Sequence, residues 1–208
     1  MPETAAPPAA PIRVLVAEDD LPARALLVEV LSSLGHEVVA EVASGRDAVT
    51  EAVARTPDAV LLDVHMPDAS GVEAAMQITQ ALPHTAVVLF TGDQTLSLSE
   101  QEIVGTSAVS LLAKPAPPNT IDTTLRLAVS RARALASAQH EAASAKEALE
   151  SRKTIERAKG ILMRRTGSSE QEAYRILQRT SQDRSVPMVE IAKAVLASEP
   201  GAAVAAKR

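Results

Sequence analysis

The sequence predicts an α/β fold: a five-stranded parallel doubly wound domain, then a long helix and a small three-helix bundle. Three observations carry that reading. From Arg13 to about Pro118, short β-type runs alternate with helical patterns, and such alternation makes a parallel sheet covered by its crossover helices. Two of the runs, Ala59-Val-Leu-Leu-Asp63 and Ala86-Val-Val-Leu-Phe90, are apolar almost throughout, as expected of strands buried on both faces. Neither proline nor glycine falls between Asn119 and Lys159, so one helix can run from the first domain into the second.

The five expected strands cover 13–17, 37–42, 59–63, 86–90 and 109–113. Between them, Leu27, Leu31 and Leu34 recur at helical spacing in a helix over 23–34 that stops at Gly35. A second helix over 45–55 has Ser44 as its cap and Pro57 beyond its end, and a third over 71–82 is ended by Pro83. A weaker fourth covers 97–105, and a fifth opens after Asn119, which can cap it. The expected organisation is a disordered tail over 1–11, the α/β domain over 12–118, a coiled-coil connector over 119–151, a three-helix domain over 152–198 and a second disordered tail over 199–208.

Composition excludes several classes. Hydrophobic residues make up 46% and charged ones 23%, a soluble globular balance, and no apolar run approaches the roughly 20 residues that span a bilayer. The proline- and alanine-rich start carries no basic segment followed by a long apolar one, so no secretory signal is expected and the cytoplasm is the expected compartment. The absence of cysteine excludes disulfide scaffolds, thiolate zinc sites and cysteine nucleophiles. With Phe90 and Tyr174 as the only aromatics, an aromatic base-stacking platform is not expected. Residues 1–118 hold 5 Lys/Arg against 16 Asp/Glu, a net of −11, whereas 119–208 hold 16 against 10, a net of +6. An acidic half joined to a basic half points to a polyanion partner for the basic end.

In open parallel sheets the site lies at the carboxyl ends of the strands. Strand one ends in Glu18-Asp19-Asp20, strand three in Asp63, strand four in Thr91-Gly92 and strand five in Lys114-Pro115. Crowded carboxylates repel one another and suit a hard cation such as Mg²⁺. Asp63 beside that cation, with Lys114 opposite, is a carboxylate able to attack phosphorus and form an acyl phosphate; the cation and the lysine would offset phosphoryl charge. The four histidines, His36, His65, His84 and His140, are not spaced as a metal cluster and read as solvated surface.

On those residues (Val14-Leu-Val-Ala-Glu-Asp-Asp20, Leu61-Leu-Asp-Val-His-Met-Pro-Asp-Ala-Ser-Gly71, Thr91-Gly92 and Lys114-Pro115) the first half of the chain resembles the receiver domain of two-component response regulators. The resemblance implies that Asp63 accepts phosphate from a sensor histidine kinase. It also implies that Asp19 ligates Mg²⁺ directly and Glu18 through water, with the backbone carbonyl of His65 completing the set. Thr91 would shift to bond the phosphoryl group and Lys114 would pair with it. The chain departs from the family in having Leu111 for the usual aromatic residue, Ala116 for the phenylalanine after Lys-Pro, and Ser107 for a glycine. Those changes leave the acceptor intact and alter the face that reads it.

From Ile121 the chain steps by alternating fours and threes through Leu125, Ala128, Ala132, Leu135, Gln139, Ala142, Lys146 and Leu149. This 3.5-residue seam predicts a coiled coil, weakened by alanine, Gln139 and Lys146; a single helix packed on its own first domain is the alternative. Residues 152–165 carry six basic side chains against Glu156 alone, beside an apolar stripe of Ile155, Ala158 and Leu162. Gly167 closes this helix, Ser168-Ser-Glu-Gln-Glu172 opens another with a capping pattern, and Pro187 starts a third. Ala173, Ile176 and Leu177 of the middle helix are expected to face inward.

The runs Ile155-Glu-Arg-Ala-Lys-Gly-Ile-Leu-Met163, Glu172-Ala-Tyr174, Leu177-Gln-Arg-Thr-Ser-Gln-Asp183 and Ile191-Ala192 resemble the ANTAR domain, the RNA-binding module of AmiR/NasR-type antitermination regulators. The resemblance implies binding of paired RNA stem-loops and nominates Ala158, Lys159, Gly160, Arg164, Arg165, Tyr174, Arg179 and Ser181 as the RNA-binding residues. The expected function is a non-enzymatic, phosphorylation-responsive antiterminator that pairs as a homodimer once phosphorylated, requires Mg²⁺ and does not engage a membrane. The alternatives are a DNA-binding response regulator and a phospho-dependent protein-interaction adaptor that binds no nucleic acid.

Overall fold

A computed structural model describes residues 10–66, 70–92 and 109–199. The expected fourth helix over 97–105, Ser107, Pro67-Asp68-Ala69 of the acceptor loop and most of both expected tails lie outside the described residues. Five strands, β1 (Arg13–Ala17), β2 (Glu37–Val42), β3 (Ala59–Asp63), β4 (Ala86–Thr91) and β5 (Val109–Ala113), form one parallel sheet in the order β2-β1-β3-β4-β5. They fall where the sequence puts them, β4 running on to Thr91. Helices α1 (Leu21–Ser33), α2 (Gly45–Arg55) and α3 (Gly71–Ala81) connect them. Each begins on a side-chain cap that satisfies an orphan N–H: Asp20 for α1, Ser44 for α2 and Ser70 for α3. Helix α1 starts ahead of the predicted Ala23 because Asp20 accepts the Ala23 N–H at 2.8 Å and Pro22 is preset for the first turn.

Alternate residues of each strand point to opposite faces, and both faces are covered. Val14, Val16, Leu61 and Val88 pack with Leu27 and Leu31 of α1 and with Ile121, Leu125, Ala128 and Ala132 from beyond β5. Leu15, Val60, Leu62, Val87 and Leu89 pack with Ala48 and Ala52 of α2 and with Ala75 and Ile78 of α3. Double burial is why β3 and β4 read as continuous apolar runs rather than alternating ones.

The helix that follows β5, α4 (Pro118–Thr166), is 49 residues long and unbroken. Pro118 is its first residue, and Pro117 O accepts the Thr120 and Ile121 N–H groups, so the helix opens one residue before the expected Asn119 cap. The chain forms two compact units, Met1–Ala138 and Gln139–Arg208, and α4 contributes to both. The predicted seam divides accordingly. Ile121, Leu125, Ala128 and Ala132 are buried in the core of the first unit, whereas Gln139, Ala142, Lys146 and Leu149 are exposed. Among the described residues no helix is long and apolar enough to cross a membrane.

Polar clips reinforce the first part of α4. His36, expected on the surface, is buried: Ile12 N–H donates to Nδ1 at 3.3 Å, leaving the proton on Nε2, which donates to Asp122 Oδ1 at 2.9 Å. Both ring nitrogens find partners, which is what permits a histidine there. Arg126 pairs with Asp122 at 2.8 Å and Arg133 with Asp58 at 2.6 Å. His65, His84 and His140 are exposed, as expected.

In the second unit the end of α4 packs with α5 (Glu170–Arg184) and α6 (Met188–Ala197). Gly167, at φ +67°, closes α4, a conformation that costs a side-chain-bearing residue strain. Ser169 and Glu172 form a capping box at the start of α5. Ala158, Leu177, Ile191 and Ala192 are buried together, with Ile155, Leu162 and Val195 against them. Ile176, expected inward, is exposed and Ile161 is buried instead; the helical face lies over Ala173 and Leu177, and Ile176 falls outside it.

So small a core makes each buried side chain count. Leu177→Ala should destabilise the second unit by about 2–5 kcal/mol, read as a lowered denaturant midpoint; an unchanged midpoint would contradict the packing described. The Ser169 backbone N–H and hydroxyl hold the Glu172 carboxyl below its ordinary range. A depressed folded-state value means stability that is present at neutral pH and lost as pH falls through and below the carboxylate range. Melting of the second unit should therefore be acid-sensitive, less so in Glu172→Gln; identical acid profiles for the two proteins would refute this.

Candidate functional site

The strand order reverses between β1 and β3, which opens a crevice at their carboxyl ends. Glu18 directly follows β1; its N–H donates to Val42 O at 3.1 Å and its carbonyl accepts the Arg24 guanidinium, so the strand end is pinned on both sides. Asp63 closes β3, and both carboxylates are buried. Thr91, buried, closes β4. Its carbonyl accepts the Lys114 N–H at 2.7 Å, which fixes the lysine just beyond β5; the Lys114–Pro115 peptide is cis. Lys114 Nζ donates to Glu18 Oε2 at 2.6 Å, lies 3.2 Å from Asp63 Oδ1, and sits 5.2 Å from the centroid of the Phe90 ring.

Electrostatics follow from that crowding. Burial pushes the Glu18 carboxyl above its ordinary range; the Lys114 hydrogen bond opposes this and the Asp63 charge adds to it. Burial opposes the Lys114 charge as well, but the Glu18 hydrogen bond and the Asp63 and Glu18 carboxylates outweigh it and hold the ammonium above its ordinary range. One oxygen each from Glu18, Asp19 and Asp63 lie within 4.8 Å of one another, an all-oxygen donor set of the kind a hard divalent cation takes. Asp20 is not among them, because its carboxylate caps α1. His65 lies in the loop two residues past Asp63 with its side chain exposed.

Sequence reasoning missed three contributors. Arg24 reaches back to the Glu18 carbonyl. Phe90 flanks the lysine. Gly71 admits α3: a Cβ there would stand 2.0 Å from the Asp63 carbonyl oxygen, and its N–H donates to Val64 O at 2.9 Å. Of the three, Gly71 alone left a signal, as a glycine at a helix start eight residues past Asp63. Around the site, Ala116 leaves an apolar groove with Leu26, Leu27, Val30 and Phe90, and Leu111 is exposed on β5.

In the second unit the nominated residues separate into kinds. Ala158 is fully buried in the core, and the Ser181 hydroxyl donates to Val186 O at 2.6 Å across the end of α5, so both act on structure. Lys159 is buried, its Nζ 2.8 Å from Glu156 Oε2 and 2.8 Å from Glu170 Oε1. Those two partners hold its ammonium above the ordinary range, and Lys159 in turn holds Glu170 below the ordinary carboxylate range. Gly160 is half-buried, and a Cβ there would meet only the Arg164 guanidinium, at 3.7 Å. Arg164 pairs with Glu199 at 2.9 Å, and Arg165 donates to Ser198 Oγ at 2.9 Å and to its carbonyl at 2.6 Å. Tyr174 and Arg179 are exposed. Tyr174 lines a shallow groove with Lys159, Gln171, Arg175 and Gln178, and Arg179 lines a second one that also reaches Arg175.

Comparison with known proteins agrees with both halves. Residues 14–126 match the response regulator receiver domain and residues 143–196 the ANTAR domain. The transcriptional regulatory protein PdtaR of Mycobacterium tuberculosis is 37% identical over 195 residues, spanning 94% of each chain. The chemotaxis protein CheY of Thermotoga maritima is 28% identical over 111 residues, 52% of this chain and 90% of CheY. The signal receiver domain of NarL from Mycobacterium tuberculosis superposes with a TM-score of 0.52 at 28% identity, covering 58% of this chain and 98% of that one. A parallel sheet with a lysine-bridged carboxylate crevice, joined through one helix to an ANTAR three-helix unit, places the chain in a family: it belongs to the response regulators whose receiver domain is followed by an ANTAR domain.

Proposed function

We propose that the protein is a phosphorylation-responsive transcription antitermination regulator, which accepts a phosphoryl group on Asp63 from a sensor histidine kinase and binds paired RNA stem-loops through its C-terminal domain. The observation that carries this is the convergence of Glu18, Asp19, Asp63 and Lys114 in one crevice of a chain that also holds an ANTAR domain.

In the transfer, an Asp63 carboxylate oxygen attacks phosphorus, the P–N bond of a phosphohistidine breaks, and the leaving imidazole nitrogen keeps the electron pair. Mg²⁺ held by Glu18, Asp19 and Asp63, with the His65 carbonyl, would supply positive charge to the phosphoryl oxygens. Lys114, already 3.2 Å from Asp63, pairs with the group once attached. Thr91, at the end of the neighbouring strand β4, would donate its hydroxyl to it. The product is a stoichiometric acyl phosphate on the protein, not a turnover reaction.

RNA recognition is assigned to Lys159, Gly160, Arg164 and Arg165 of α4 and Tyr174 and Arg179 of α5, with Ala158 and Ser181 supporting these helices. Basic side chains attract phosphate, and a half-exposed tyrosine can stack on an unpaired base. A homodimer formed through the exposed 137–150 stretch of α4 would bring two such faces to two stem-loops, a gain of the kind that linked weak sites give.

Two measurements test the reading. Gly71→Ala forces the start of α3 away from Asp63, so labelling by acetyl phosphate should slow on the order of a hundredfold; wild-type labelling would show that the close approach does not position the acceptor. In gel shifts, an RNA carrying two small stem-loops should bind better than duplex DNA of equal length. Beryllofluoride with Mg²⁺ should tighten binding, and Asp63→Asn should abolish that response. No preference for RNA would overturn antitermination, in favour of a DNA-binding regulator if both bind and an adaptor if neither does.

A further inference from the structure

Of the cations nominated for RNA, Lys159 is held away from solvent, and Arg164 and Arg165, though exposed, are already partnered. Lys159 on α4 is covered by two carboxylates, Glu156 one turn before it and Glu170 at the start of α5, each at 2.8 Å. Only 9% of the lysine side chain is exposed, whereas Glu156 and Glu170 are 53% and 67% exposed. An incoming phosphate therefore meets two negative groups before it meets the ammonium. At the end of the same helix, the segment after α6 folds back on the paired arginines: Glu199 takes Arg164 at 2.9 Å, and Ser198 takes Arg165 through its hydroxyl and its carbonyl. By contrast, Arg179 is exposed and makes no ion pair among the described residues.

We propose that the C-terminal unit masks its own RNA-binding cations, with Glu170 and Glu199 occupying Lys159 and Arg164 in the free protein, and that RNA phosphates bind by displacing these carboxylates. The inference rests on the RNA reading above and adds its regulation. Each carboxylate sits at the end of an element, where displacement disturbs little of the fold: Glu199 lies past the last turn of α6, and Glu170 is the first residue of α5. The Arg164–Glu199 pair is exposed and so weak by itself, the Glu170 carboxylate keeps its access to water, and a nucleic acid gains counterion release for every phosphate it delivers. A single phosphate, or a strand presenting phosphates out of register with Lys159 and Arg164, exchanges one weak pair for another and gains little. A folded loop that offers several phosphates at once releases both carboxylates together. The mask therefore lowers affinity for every polyanion but penalises the ill-fitting ones most, a specificity obtained by competition within the chain.

The test uses the full chain and the two-stem-loop RNA, with Glu170→Gln, Glu199→Gln and the double variant. Circular dichroism melts confirm that these near-isosteric changes leave the fold intact. Each single variant should bind the RNA about two- to fivefold more tightly, and the double by about the product, while discrimination against unstructured single-stranded RNA falls. The gain from Glu199→Gln should vanish in an Arg164→Gln background, since the cation it frees is gone. A gain that persists there reflects loss of negative charge alone and overturns the mask. Wild-type binding that no variant improves overturns the mask while leaving the RNA reading intact. Failure of every protein, wild type included, to bind the RNA overturns both.

Discussion

Two carboxylates, Glu18 and Asp63, are buried at the ends of adjacent strands, and the cost of keeping that charge out of water organises the first unit. The offsetting cation, Lys114, comes from beyond β5 at the far edge of the sheet, so the crevice exists only when all five strands are in register. Thr91 orients the lysine through its backbone carbonyl, Arg24 holds the carbonyl of Glu18, and Gly71 lets α3 close against Asp63. One ammonium between two buried acids, with Asp19 close by, leaves excess negative charge of the kind a divalent cation offsets. The features that burden the fold are thus the ones that equip it for phosphoryl transfer.

The second constraint is that α4 serves two cores. Its first turns are a wall of the receiver, packed through Ile121, Leu125, Ala128 and Ala132 and clipped by His36–Asp122 and Arg133–Asp58. Its last turns supply Ala158 and Ile155 to the ANTAR core. Between them residues 137–150 are exposed throughout. An exposed helix of that length draws on intrinsic propensity, which its alanine, glutamate and lysine content supplies, and on local pairs such as Glu150–Lys153. It is also a stretch on which a second copy would add burial, because Leu149 and the alanines there are exposed.

Much of this was legible beforehand. The strands announced themselves because double burial removes polar alternation, and the convergence of Glu18, Asp19, Asp63 and Lys114 was foreseeable because they are the charged residues at strand ends. What was not legible depended mostly on partners distant in sequence, the Asp20 cap being the local exception. Asp20 reads as one more crevice acid until its oxygen is seen on the Ala23 N–H. His36 reads as surface because neither Ile12 nor Asp122 is nearby in the chain. The seam from Ile121 reads as intermolecular because a 3.5-residue repeat and the apolar face of a helix packed on its own sheet coincide over a few turns. Lys159 reads as a free cation because Glu170 lies eleven positions away, across a helix boundary.

The most direct measurement of transmission is hydrogen–deuterium exchange on the full chain, with and without Mg²⁺ and beryllofluoride, alongside RNA affinity under the same conditions. If the acceptor acts on the RNA-binding domain through α4, exchange over residues 137–150 slows when Asp63 carries the phosphoryl mimic, and RNA binds more tightly in parallel. Tighter RNA binding with unchanged exchange over 137–150 would contradict transmission through that helix.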